Sequence, residues 1–178
     1  MRLPYMNASP VVDQTAFVAP NTTLIGDITI GPEASVWFGS VLRADVMPIR
    51  IGARTSVQDL SMLHATRQWM ATEVGEDCTI GHGVLLHGCK VENLVLVGMG
   101  TIVLDGAVIG AETIIGAGSL ITTNVHIPSG VLALGRPAKV MRELTDRERQ
   151  FLRSSAHNYV VHAHEYRELV NQHALATQ

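Results

Sequence analysis

An aliphatic residue returns every sixth position along most of this chain, and few folds accept such a period. Val12, Val18, Leu24, Ile30, Val36 and Leu42 keep strict intervals of six, and after a break at Pro48 the series resumes at Ile51, Val57 and Leu63. A second break over residues 67–73 is followed by Val74, Ile80 and Leu86. One residue is then lost before Val91, Val97, Val103, Ile109, Ile115, Ile121 and Ile127. Six matches neither the helical period nor the alternation of a half-buried strand. Glycine follows the aliphatic at Gly31, Gly52, Gly75, Gly81, Gly98, Gly110 and Gly116. The residue four places beyond it is small or branched, as at Ala34, Thr55, Cys78, Thr101, Ala107, Thr113 and Ser119. This is the pattern of a parallel β-helix built from hexapeptides, an all-β fold. Each hexad makes one short side, three sides make a coil, and the aliphatics fill the axis of a triangular prism of about seven coils.

The repeat fills residues 1–140. Residues 141–178 carry a C-terminal helix in the same structural unit, reached through the turn-rich Gly135-Arg136-Pro137-Ala138-Lys139. A capping box, Thr145-Asp146-Arg147-Glu148, opens the helix. Leu152, Ala156, Tyr159, Ala163, Tyr166 and Val170 recur at spacings of four and three, an apolar stripe suited to lying along the prism.

A formal charge of -3 and a pI near 6.2 offer no concentrated basic surface, which disfavours nucleic acid and anionic membranes as partners. No apolar run approaches bilayer-spanning length and the N-terminal residues lack a secretion signal, so the expected location is the cytoplasm. Cys78 and Cys89 are expected there as buried thiols and not as a bridge.

The chemistry concentrates between Leu63 and Cys89. His64 and His87 each directly follow an inward aliphatic, in a slot whose side chain points outward. If residues 67–73 are one side plus a bulging loop, then Leu63, Val74, Ile80 and Leu86 circle the prism once. The two histidines therefore stack on one face, one coil of about 4.8 Å apart, close enough to share a metal. His82 sits two residues after Ile80 on the preceding side and points away from the pair. A site using all three must take His82 from a neighbouring copy, which predicts a cyclic homotrimer with a site at each interface. Three neutral nitrogens with a fourth position open describe catalytic zinc, whose bound water ionises near neutral pH. His126 falls at the end of the prism, and His157, His162, His164 and His173 are read as helix-surface or packing residues.

Arg43-Ala44-Asp45, Val57-Gln58-Asp59, His64, Ile80-Gly81-His82-Gly83, Leu86-His87-Gly88-Cys89 and Asn158-Tyr159 together resemble the gamma-class carbonic anhydrases. The likeness takes in the bacterial branch containing YrdA, CaiE and PaaY. The resemblance implies a left-handed β-helix and zinc, or another divalent ion, on His64, His82 and His87. It also implies reversible hydration of carbon dioxide to bicarbonate by metal-bound hydroxide. Gln58 is implied to hydrogen-bond the metal-bound water or bicarbonate, with Tyr159 near the pocket. Arg43 and Asp59 are implied to pair across the interface, with Asp45 in the same network.

The chain also departs from that family. Val46 stands where its best-studied members carry a glutamate, Ser56 where they place an asparagine, and the loop after the first metal histidine is shortened. Loss of a carboxylate relay implies turnover slower by on the order of a hundredfold, with Glu73 in the shortened loop as a substitute. Three other functions fit the same sequence: acyl-CoA thioester hydrolysis at the metal site, hexapeptide-repeat acyl transfer, and a non-catalytic trimeric scaffold.

Overall fold

The computed structural model describes residues 1–176, with side chains through His173. The hexads wind into a parallel β-helix of about seven turns whose short strands stack into three flat faces. The histidine face stacks the first halves of Thr23–Ile30 and Val41–Ile51, then Met62–His64, Leu85–His87, Ile102–Val103 and Leu120–Ile121. Both long strands bend round a corner into the polar face, which continues through Thr72–Val74, Lys90–Val91, Val108–Ile109 and His126–Ile127. The helix face stacks Phe17–Val18, Ser35–Val36, Ser56–Val57, Thr79–Ile80, Leu96–Val97, Ile114–Ile115 and Val131–Gly135.

The period has a direct physical cause. From Leu24 to Ile127 every aliphatic of the series is buried in one continuous core, while Val12 and Val18 at the first coil are partly covered. The small residues four places on turn their side chains in at the corners, where hydroxyls satisfy carbonyls of the next coil. Thr55 donates to the Gly75 carbonyl at 2.6 Å and Thr113 to the Pro128 carbonyl at 3.1 Å. Glycine is required where coils nearly touch: a Cβ on Gly52 would lie 2.5 Å from the Gly75 carbonyl carbon. Cys78 and Cys89 are free and buried, and burial pushes both thiols up to about 12. Neither is expected to react with a thiol reagent at pH 8 until the chain unfolds, which mass spectrometry after iodoacetamide treatment reads directly.

The three faces carry different outer surfaces. On the histidine face the outward residues Val41, Met62, Leu85, Ile102 and Leu120 form one apolar column in strict register. The polar face presents Thr29, Arg50, Glu73 and Lys90 in the equivalent column. The helix face is covered by the C-terminal helix, Asp146–Ala176, which buries Leu152, Ala156 and Ala163. The capping box forms as expected: the Thr145 N–H donates to Glu148 Oε2 at 2.8 Å and the Glu148 N–H returns to Thr145 Oγ1 at 3.3 Å.

Two local expectations are corrected. Glu73 is not in the loop; it lies on Thr72–Val74, in register between Arg50 and Lys90, because Val74 claims an inward slot and straightens the residues before it. Between the turn-rich exit and the helix, Ala138–Glu143 forms a strand antiparallel to Val131–Gly135. It lacks the hexad pattern because it pairs with one edge and fills no coil.

Candidate metal centre

His64 and His87 end equivalent strands of adjacent coils and are direct register partners, which places their rings on one face as the six-residue count requires. His64 Nδ1 lies 3.1 Å from His87 Nε2. The remaining nitrogen of each ring meets a carboxylate: His64 Nε2 is 3.0 Å from Asp45 Oδ1, and His87 Nδ1 is 2.7 Å from Asp105 Oδ2. A neutral imidazole carries one proton; with that proton on the nitrogen facing the carboxylate in each ring, the lone pairs of His64 Nδ1 and His87 Nε2 would face each other.

Two ligands on a tetrahedral centre with bonds of about 2.0–2.1 Å stand about 3.3 Å apart, so the pair fits one divalent ion, and carboxylates behind ligating imidazoles are the usual support for such ions. Burial holds His64 below its ordinary value, against the Asp45 hydrogen bond and with help from the Arg43 charge, which favours the neutral ring. Burial raises the Asp45 carboxyl, but hydrogen bonds from Arg43 and His64 outweigh it and leave the carboxyl below its usual range. Asp105 behaves alike: burial pushes up, and bonds from His87 and the Thr66 N–H prevail.

His82 lies elsewhere. It occupies the corner between the helix face and the histidine face, exposed, with Nδ1 2.9 Å from Asp59 Oδ2 and Nε2 turned away from that carboxylate. Among the described residues no three His, Cys, Asp or Glu side chains gather closely enough to hold a metal ion. The histidines are divided two and one, as the register predicts for a single chain.

The other expected site residues divide the same way. Arg43 and Asp45 form an ion pair beside His64. Gln58, Asp59 and Tyr159 gather around His82, with Gln58 buried and hydrogen-bonded to the Tyr159 hydroxyl. Burial first, and the Asp59 charge second, raise the Tyr159 hydroxyl above its ordinary value, against that hydrogen bond. Within the chain Arg43 contacts Asp45 and Asp59 contacts His82, so a pair between Arg43 and Asp59 is not formed here. Ser56, one of the departures noted above, sits under the helix, where its hydroxyl accepts the Trp37 indole N–H at 2.9 Å. Its role is packing.

Asp105 was not among the expected residues. Its signal lies in the register: it stands one coil beyond Gly88, and a Cβ on Gly88 would come 2.3 Å from Asp105 Oδ1. Glycine at that position leaves room for the carboxylate that orients His87. The sequence reading also missed a cleft beside His82, lined by Leu96, Met99, Phe151 and Tyr159 with Gln58 and His162. It exists only because the helix docks there. Asp105→Asn is expected to weaken zinc binding about 10–100-fold while leaving the circular dichroism unchanged; competition with a fluorescent chelator measures it, and an unaltered affinity would count against the role given to Asp105.

A family model described as bacterial transferase hexapeptide (six repeats) matches residues 88–123. The chain is 43% identical over 166 residues to gamma carbonic anhydrase 2, mitochondrial, of Arabidopsis thaliana, covering 88% of this chain and 60% of that protein. It thus spans well under two thirds of that plant relative. It is 43% identical over 175 residues to protein YrdA of Escherichia coli, covering 95% of each. It is 42% identical over 172 residues to a carbonic anhydrase of Geobacillus kaustophilus, covering 97% of this chain and 94% of that one. A crystal structure of a hexapeptide transferase family protein from Anaplasma phagocytophilum superposes with a TM-score of 0.89 at 44% identity, over 93% of this chain and 97% of that one.

Proposed function

The chain belongs to the gamma carbonic anhydrase family of hexapeptide-repeat proteins, and on that premise we propose that it is a carbonic anhydrase-like lyase. It would hydrate carbon dioxide reversibly at a divalent metal shared between copies of a cytoplasmic homotrimer. The observation that carries this reading is the pair of ring nitrogens 3.1 Å apart, each ring backed by a carboxylate, with the third histidine backed by Asp59 on another corner. His64 and His87 of one copy and His82 of the next would hold the ion. Zinc, or another divalent ion, supplies when bound the positive charge that brings the ionisation of water toward neutral pH.

The chain's own residues do the rest. Asp45, Asp105 and Asp59 fix each imidazole in the tautomer that leaves one lone pair for the ion. The buried Gln58 amide presents a donor or acceptor to an oxygen of carbon dioxide or bicarbonate, and Tyr159 holds that amide in place. Arg43, anchored by Asp45, keeps further guanidinium N–H groups for Asp59 of a neighbouring copy. The proton released in hydration has to reach solvent. Val46 offers it no carboxylate and Glu73 lies on the polar face, so the expected turnover is slow, on the order of a hundredfold below a relay-assisted enzyme. Stopped-flow hydration before and after chelation tests the proposal. A trimer loaded with metal that shows no chelator-sensitive hydration would end it.

A second reading has an observation of its own. The cleft beside His82, about 360 Å³ and walled by Leu96, Met99 and Phe151, is far larger than carbon dioxide needs. An acyl thioester could lay its chain there and present its carbonyl to the same metal. Incubation with acyl-CoA esters of increasing length separates the two readings, and hydrolysis of none of them removes this one.

A further inference from the structure

The corner that carries His82 repeats along the prism, and in five successive coils its second residue has a left-handed backbone: Gly39 (φ 69°), Leu60 (φ 59°), Gly83 (φ 64°), Gly100 (φ 68°) and Gly118 (φ 68°). Four of these five are glycine, the residue that adopts this conformation without penalty. Leu60 is the exception, a branched apolar side chain in a disfavoured conformation, and it is 74% exposed. Within its own chain the Leu60 side chain lies over Gly39 of the coil below, and most of its apolar surface is left for a contact outside the chain.

Its position indicates what it meets. Leu60 follows Asp59, whose carboxylate holds His82 Nδ1 and accepts the Phe38 N–H, and the Leu60 N–H donates to the Phe38 carbonyl at 3.0 Å. Leu60 and His82 are therefore parts of one rigid corner, Leu60 one coil below. Of the three faces, the polar face is charged and the helix face, with its own column of Leu96, Ile114 and Leu132, is largely covered by the helix; the histidine face presents an apolar column over which the helix does not lie, with Met62 45% exposed. His82 of one copy has to enter between the heights of His64 and His87 on another. Moving down one coil, about 4.8 Å, brings Leu60 between Val41 and Met62, the register partners lying one step before Arg43 and His64.

We propose that Leu60 is the apolar anchor by which one copy of this chain seats on the histidine face of the next, and that it sets His82 at the correct height against the His64–His87 pair. The occupant of the apolar column is thus a second copy, and Leu60 acts as a positioning residue. The inference rests on the shared-metal reading above.

Leu60→Gly and Leu60→Asn test it, because both suit the left-handed backbone and neither endangers folding. Sedimentation velocity over a dilution series gives the concentration at which the trimer dissociates, and chelator competition gives the zinc affinity. Removing a buried leucine from each interface is expected to raise that concentration by roughly tenfold or more and to weaken zinc binding in parallel. Variants with unchanged dissociation and zinc affinity, in a protein whose unsubstituted form is a metal-loaded trimer, would overturn the role of Leu60 and leave the shared site standing. An unsubstituted chain that stays monomeric at every concentration in excess zinc would overturn both.

Discussion

His87→Ala is expected to give a folded protein that has lost its metal and its hydration activity together. Zinc affinity should fall by on the order of a hundredfold or more, since loss of a supporting carboxylate alone removes 10–100-fold and His87 is itself one of the proposed ligands. Turnover should fall to the uncatalysed rate measured in buffer. Folding should persist, because His87 points outward and the core of its coil is made by Leu86, Val91 and Val97. Metal analysis by plasma mass spectrometry, circular dichroism and stopped-flow hydration read the three quantities. His126→Ala is the control: that histidine is exposed at the far end of the polar face and should change none of them. A His87→Ala protein that kept wild-type zinc would refute the site.

Ile115→Ala is expected to do the reverse, lowering stability without touching the metal. Ile115 is fully buried on the helix face, in register between Val97 and Ala133. Truncation leaves a cavity that two rigid coils cannot collapse to fill, which costs about 2–5 kcal/mol. For a chain of this length each kcal/mol lowers the melting temperature by about 2–4 °C, so a fall of roughly 5–20 °C is anticipated at fixed protein concentration. Zinc affinity should match the parent within error, because Ile115 lies two coils beyond Ile80, the residue that leads into His82. A melting temperature within a degree of the parent would mean that the axial column does not bear the stability assigned to it.

The hexad made much of this architecture legible in advance. A side chain's place in the six-residue count fixes whether it points inward, so the stacking of His64 on His87 and the separation of His82 followed from arithmetic on Leu63, Ile80 and Leu86. What escaped the count was whatever depends on contact between coils or with the helix. Asp105 looks like any aspartate at a glycine-rich corner until it is placed one coil from Gly88. Ala138–Glu143 carries no hexad, and the cleft of Leu96, Met99 and Phe151 needs the docked helix to exist. Glu73 was misplaced because the end of an insertion is invisible to a period that the insertion interrupts.

A pile of parallel coils has a weakness at its ends, where backbone groups with nothing stacked on them invite another molecule to continue the ladder. The reversed strand Ala138–Glu143 lies across one side of the last coil and runs against the direction of winding, offering a newcomer the wrong polarity to extend. Growth into a fibre along the axis is discouraged at that terminus, and sideways contact between neighbours is left as the favoured mode of association.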